Sequence, residues 1–127
     1  VIWGNDNRTT ALRAIVAGPK ATRVEHRLPG ADANTYLSLA ASVASGLHGI
    51  EVGLEMPPPA VNAYASDAVP LPRNLREANA LFSESGPARK AFGNEFVDFF
   101  SMTRDWEVQQ FERAVTDWEL ERYFESI

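Results

Sequence analysis

The sequence predicts an α+β chain, a strand hairpin followed by about four helices. Two stretches of strand-forming residues, 9–16 and 22–28, flank the turn-forming run Ala17-Gly18-Pro19-Lys20. Beyond residue 30 the apolar residues recur at helical spacing and no longer alternate. Two capping-box patterns, Asn74 with Glu77 and Thr116 with Glu119, mark helix starts in the second half. A length of 127 residues with 45% hydrophobic side chains fits one domain of ordinary size, residues 1–127, able to build a core.

Taken in order, Val1-Ile2-Trp3 reads like the inside of a strand and has no initiator methionine before it, so a piece of a longer protein is expected. In the stretch 22–28 the two-residue period puts Arg23, Glu25 and Arg27 on one face and Val24, His26 and Leu28 on the other. An isolated hairpin is marginal in water, so the sheet is expected to continue through strands outside this chain. After Pro29-Gly30 a helix of small residues runs from about Ala33 to His48, closed by Gly49, with Asp32 or Asn34 as its cap. Its run of Tyr36, Leu37, Leu39, Ala40, Ala41, Val43 and Ala44 is apolar nearly all round, which predicts burial on most sides. Residues 51–73, with Pro57-Pro58-Pro59, form an extended connection. A helix follows from Asn74 to about Ser83, then a short helical turn from Gly86-Pro87 to Gly93. A long amphipathic helix covers about Glu95 to Ala114, with Phe96, Phe99, Phe100, Met102, Trp106 and Phe111 as its apolar stripe. A last helix begins at Thr116 and carries Trp118, Tyr123 and Phe124.

Composition removes several function classes. The net charge of −5 argues against a nucleic-acid-binding surface, and the absence of cysteine removes disulfide frameworks and thiolate metal sites. No apolar run approaches the roughly 18 residues of a membrane span, and the N-terminus does not read as a signal peptide. A soluble, cytoplasmic protein is the expectation, without nucleic acid or membrane as partner. The charge is unevenly spread, however. Residues 1–27 carry five cations (Arg8, Arg13, Lys20, Arg23, Arg27) against Asp6 and Glu25, or +3, leaving −8 on the rest. Clustered arginine in an acidic chain suits one local, dense anion, since the forked guanidinium matches phosphate or carboxylate.

On spacing alone, Arg23-x-Glu25-x-Arg27 most often means a solvated ion-pair ladder of little energetic weight. Convergence of Arg8 and Arg13 on the same face weakens that reading. Five residues apart, they would face opposite ways on a regular strand, so either Arg8 sits in the entering loop or a bulge corrects the parity. His26 alternates away from the arginines and reads as a packed or hydrogen-bonded histidine, while His48 ends a helix, where its cation is favourable. There is no HxxxH, CxxC or P-loop pattern, and no serine with a histidine and acid partner. The aromatic residues of 92–124 sit at helical spacing and read as core or subunit interface. Tyr64, in a proline-bounded loop, is a candidate for modification, although most such tyrosines are unmodified.

The chain resembles the C-terminal part of the glutamine synthetase family. The motifs are Asn7-Arg8-Thr9 with Arg13 five on, and Lys20-Ala-Thr-Arg23-Val-Glu25-His-Arg27-Leu-Pro-Gly-Ala-Asp-Ala-Asn34-Thr-Tyr36-Leu37. Agreement continues through Gly46-Leu-His-Gly-Ile50, Asn62-Ala-Tyr64, Leu71-Pro-Arg-Asn-Leu75 and Trp118-Glu119. Trp3-Gly4, Leu28-Pro-Gly-Ala-Asp and the Trp118-Glu119 ending look closer to the branch that joins glutamate to putrescine and other polyamines, the γ-glutamylputrescine synthetase-like enzymes. Thr35 where the family usually has proline, and Ala14-Ile15 in place of Ile-Pro, are departures that touch no charged position.

The resemblance implies a fragment of the glutamine synthetase catalytic, guanido kinase-like domain. It implies an ATP-dependent ligase that activates the γ-carboxylate of glutamate as γ-glutamyl phosphate and amidates it with ammonia or an amine. Carried over by motif, Glu25 matches a ligand of the Mg²⁺ or Mn²⁺ bridging the phosphates, and Arg8, Arg13, Lys20 and Arg23 match positions at the ATP phosphates. Arg27 matches the arginine at the γ-carboxylate of glutamate and the transferring phosphoryl group, which with Arg8 makes the catalytic pair. The family's other metal carboxylates, metal-binding histidine, flap and small N-terminal sheet domain precede this segment, and its active sites form between subunits of a homo-oligomeric ring. These residues alone are therefore expected to be inactive. Two rivals stand beside this reading: a catalytically silent structural or regulatory member of the family, and a free-standing anion-binding module.

Overall fold

A computed structural model describes residues 2–65 and 67–126, so Val1 of the Val1-Ile2-Trp3 strand reading lies outside the described residues. The chain divides into two compact units, Val1–Leu71 and Pro72–Ile127.

The first unit holds a sheet of three strands in the order β1-β2-β3, with β1 at Trp3–Asn5, β2 at Leu12–Ile15 and β3 at Arg23–His26. The expected hairpin is present: β2 and β3 run antiparallel with Arg13 opposite Glu25 and Ile15 opposite Arg23. Both strands are shorter than the 9–16 and 22–28 of the sequence reading. Thr9 and Thr10 are drawn into a turn, although Arg27 N still donates to Ala11 O at 2.9 Å. The unforeseen partner is β1, which runs parallel to β2 in the register Trp3–Leu12, Gly4–Arg13, Asn5–Ala14. Parallel neighbours usually need a crossover of about a dozen residues or more. Here the loop 6–11 suffices because Asp6 takes a left-handed backbone, φ 47°, while its N–H donates to Ala14 O at 2.8 Å. The sheet thus gains its third strand from the chain itself. The free edge of β1 is met by Ala60, whose N–H donates to Trp3 O at 2.8 Å, and the Trp3 indole donates to Pro57 O at 2.6 Å.

Helix α1 spans Thr35–Glu51, with Asn34 as its cap accepting from Leu37 N at 3.1 Å. It runs past the expected stop at Gly49. The residue that ends it is Gly53, at φ 63°, where Leu54 N folds back to Gly49 O at 2.9 Å. The expected burial of α1 is not found among the described residues, since none of its side chains is buried. After the turn at 52–53, residues 54–62 form neither helix nor strand and lead into a 3-10 turn at Ala63–Ala65.

The second unit is helical: α2 Leu75–Ser83, α3 Gly86–Phe92, α4 Asn94–Arg113 and α5 Asp117–Tyr123. The expected starts hold. Asn74 accepts from Glu77 N at 2.9 Å, Ser85 caps α3 ahead of Pro87, and Thr116 with Glu119 closes a reciprocal capping box. Gly93, φ 82°, separates α3 from α4. The buried face of α4 is Val97, Ser101 and Val108. Phe99, Met102, Trp106 and Phe111, expected in the apolar stripe, are exposed, while Phe96 and Phe100 stack at 5.7 Å on the flank. Beneath them Asn79 ties α2 to α4, donating to Ser101 O at 3.0 Å and Asp105 Oδ1 at 2.8 Å.

Candidate anion and metal site

The site is built on the first unit. Cross-strand register puts Arg13 directly opposite Glu25, and the two-residue period puts Arg23 two positions along the same face. Glu25 consequently accepts on both oxygens: Oε2 from Arg13 Nη1 at 2.8 Å, Oε1 from Arg23 Nη2 at 3.0 Å. Arg13 is also paired with Asp6, whose left-handed backbone turns the carboxylate toward β2. These bonds act on ionisation. Hydrogen bonding from Arg13, then from Arg23, holds the Glu25 carboxyl below its usual range against the opposing effect of desolvation. Arg13 is correspondingly held above its ordinary value, first by Glu25 and then by Asp6. Glu25 is therefore a fixed carboxylate, clamped on two sides.

The remaining cations are arranged differently. Arg8 sits at the exposed crown of loop 6–11 and not on β2, which resolves the parity question in favour of the loop. It lines two clefts. One, of ≈ 670 Å³, holds Asp6, Asn7 and Arg13 against Pro59, Ala60 and Val61. The other, of ≈ 590 Å³, brings Arg8 together with Arg27, Thr9, Tyr64 and Leu71. Among the described residues neither Arg8 nor Arg27 is committed to an ion pair. Lys20, in the turn between β2 and β3, lines neither cleft. His26, on the opposite face of β3, is hydrogen-bonded: Ser42 Oγ gives its proton to Ser38 O, so His26 Nδ1–H donates to Ser42 Oγ at 2.8 Å.

Sequence reasoning missed the residue that organises this corner. Asn7 Nδ2 donates to Ala60 O at 3.0 Å and Val61 O at 2.7 Å, while its Oδ1 accepts from Thr9 N at 2.9 Å and Thr9 Oγ1 at 2.8 Å. The local half, an Asn accepting from the residue two on, is a turn signature visible in Asn7-Arg8-Thr9. The half that reaches residues 60 and 61 has no local signal.

The residues present fit part of a nucleotide-metal site. Glu25 Oε2 keeps a lone pair beyond its bond from Arg13, whereas Oε1 accepts from both Arg23 Nη2 at 3.0 Å and Arg23 Nε at 3.3 Å, so the carboxylate suits one position on a hard cation, through Oε2. Among the described residues no group of three or more His, Asp or Glu is placed to hold a metal, so further ligands would come from outside them. Uncommitted guanidinium groups at Arg8 and Arg27 suit oxyanions.

A model of the glutamine synthetase catalytic domain matches residues 1–123. The chain is 50% identical to a gamma-glutamylethanolamide synthetase of Streptomyces coelicolor, covering 100% of this chain and 28% of the relative. It is 47% identical to a type-1 glutamine synthetase of Dictyostelium discoideum, over 98% of this chain and 25% of that protein. Identity is 36% to the gamma-glutamylputrescine synthetase of Escherichia coli, over 94% of this chain and 25% of the relative. The chain therefore spans about a quarter of the length of the curated relatives it matches, and the resemblance to the amine-using branch is borne out.

Proposed function

Because the chain belongs to the glutamine synthetase family, we propose that it supplies the cationic face of an ATP-dependent ligase site that joins glutamate to ammonia or an amine. The observation that carries this is the convergence of Arg8 and Arg27 on one cleft, with Arg27 two residues along the chain from a carboxylate fixed by Arg13 and Arg23. Bound there, ATP with Mg²⁺ or Mn²⁺ supplies the phosphoryl group that activates the γ-carboxylate. The chain's own residues do the rest of the electrostatic work. Arg27 binds the γ-carboxylate and the charge that builds up during transfer; Arg8 binds the phosphate oxygens from the loop. Glu25 offers its carboxylate to the cation, and Arg13 holds it there from the opposite strand. Arg23 is half turned to solvent, so it can meet a phosphate while keeping Glu25 oriented. Lys20 adds an exposed positive charge in the turn of the hairpin. The remaining ligands, the acceptor pocket and a ring of subunits belong to the rest of such an enzyme, in a cytoplasmic setting.

The test is a full-length enzyme in which these residues replace the matching segment of the Streptomyces coelicolor synthetase. Glutamate- and amine-dependent phosphate release from ATP is expected, and the 127 residues alone should give none. In that enzyme Arg27→Ala should lower kcat by about 10²–10³, as loss of one donor to a transition state does. An unchanged kcat, with or without a change in KM, would refute a transition-state role for Arg27.

A further inference from the structure

We infer that Asn7 is a positioning residue for Arg8, acting as a staple between loop 6–11 and segment 57–63; this rests on the anion-binding reading of Arg8 above. Every hydrogen-bonding position of the Asn7 amide is used. Its two N–H groups go to Ala60 O and Val61 O, and its oxygen takes both the Thr9 N–H and the Thr9 hydroxyl. The Thr9 hydroxyl in turn accepts from Ala63 N at 3.1 Å, so the connection closes on itself at residues 60, 61 and 63. On the other side Thr10, 3% exposed, bonds through its hydroxyl to Asn7 O at 3.0 Å and Leu12 O at 2.9 Å. Arg8 thus lies between two anchored neighbours, while its own side chain lines both clefts and makes no ion pair among the described residues.

Only an amide of this length does the job. Aspartate would set an oxygen against two carbonyl oxygens, and glutamine would push the loop outward by a methylene. The surroundings leave no slack. A Cβ on Gly4 would lie 2.8 Å from both Ala60 O and Asn7 Cβ, so strand, loop and segment are in closest approach at this point. A cation stabilises a developing anion only if it is held where the charge appears. A displacement of about 1 Å can cost about 10²-fold in rate.

The experiment is a double-mutant cycle in the full-length enzyme described above, with amide exchange on the 127-residue chain beside it. Arg8→Ala and Asn7→Asp should each lower kcat by about 10²-fold. The double variant should fall little further, because Asn7 acts through Arg8. A normal kcat in Asn7→Asp, or losses that multiply, would overturn the inference, since a merely structural role is indifferent to Arg8. Should Asn7→Asp fail to fold, Thr9→Val cuts the bridge to Ala63 and is judged by the same cycle, with Thr9→Ser expected to restore the rate. Exchange at the Ala60 and Ala63 amides should accelerate in the staple variants, and unchanged exchange would also overturn it. If Arg8→Ala is silent, the anion-binding reading has failed, and the exchange result still decides whether the staple exists.

Discussion

Gly4→Ala is the sharpest structural test of the corner that carries Arg8. Gly4 is buried in the middle of β1, and its φ is outside the left-handed region, so the backbone itself would accept alanine. The obstacle is space. The new methyl would lie 2.8 Å from Ala60 O and 2.8 Å from Asn7 Cβ, where ordinary contact begins at 3.4 Å, with Thr10 Cγ2 at 3.2 Å. Residue 60 cannot swing aside cheaply, because its N–H is bonded to Trp3 O and its carbonyl to Asn7 Nδ2. Overpacking of this kind costs about 1–3 kcal/mol. Losing one net hydrogen bond as segment 60 backs away adds about 1 kcal/mol. The reduced freedom of the unfolded chain returns about 0.4–1 kcal/mol. The balance is a destabilisation of about 1–4 kcal/mol. Urea unfolding followed by circular dichroism measures it, and amide exchange at Ala60 and Asp6 localises it to the edges of β1 and loop 6–11. A variant as stable as the parent, with unchanged exchange at both amides, would refute the packing argument.

Two further expectations follow from the same observations. The folded Glu25 carboxyl ionises below its usual range, so its contribution to stability is complete above the unfolded value and is lost as pH falls through the folded one. Glu25→Gln should therefore flatten the acid limb of stability below about pH 4, and an unchanged limb would contradict the clamp. On α1, Tyr36, Leu39, Val43, Leu47 and Ile50 recur at spacings of three and four, and each is more than 60% exposed. The 127-residue chain should self-associate through this stripe, with Leu39→Glu/Val43→Glu reducing the association in light scattering; a clean monomer of the parent at high concentration would dispose of the idea.

What could be read from the sequence was what short-range chemistry dictates. The hairpin followed from a turn between alternating strands, α2 and α5 from the caps Asn74 and Thr116 that bond to amides three residues on, and α3 from Gly86-Pro87. The Arg13–Glu25–Arg23 face was legible because the strand period and hairpin pairing together leave few registers. β1 was harder, since its three residues are fixed by pairing with β2 and with residue 60. The end of α1 misled because Gly49 looks like a stop, whereas the left-handed residue is Gly53. Aromatic residues drew the eye on α4, yet the smaller Val97, Ser101 and Val108 face inward. Asn7 escaped because its decisive bonds span more than fifty residues of sequence, and no local pattern encodes them.

In the proposed site Glu25 is a carboxylate prepared for a cation among arginines prepared for anions. Glu25→Gln in the full-length enzyme, assayed across a Mg²⁺ and Mn²⁺ titration, addresses it most directly. The substitution is nearly isosteric and removes the charge a hard cation requires. Turnover is expected to collapse at ordinary metal concentration and to recover in part as metal is raised. Near-normal turnover at ordinary metal concentration would instead make Glu25 only the middle of an ion-pair ladder.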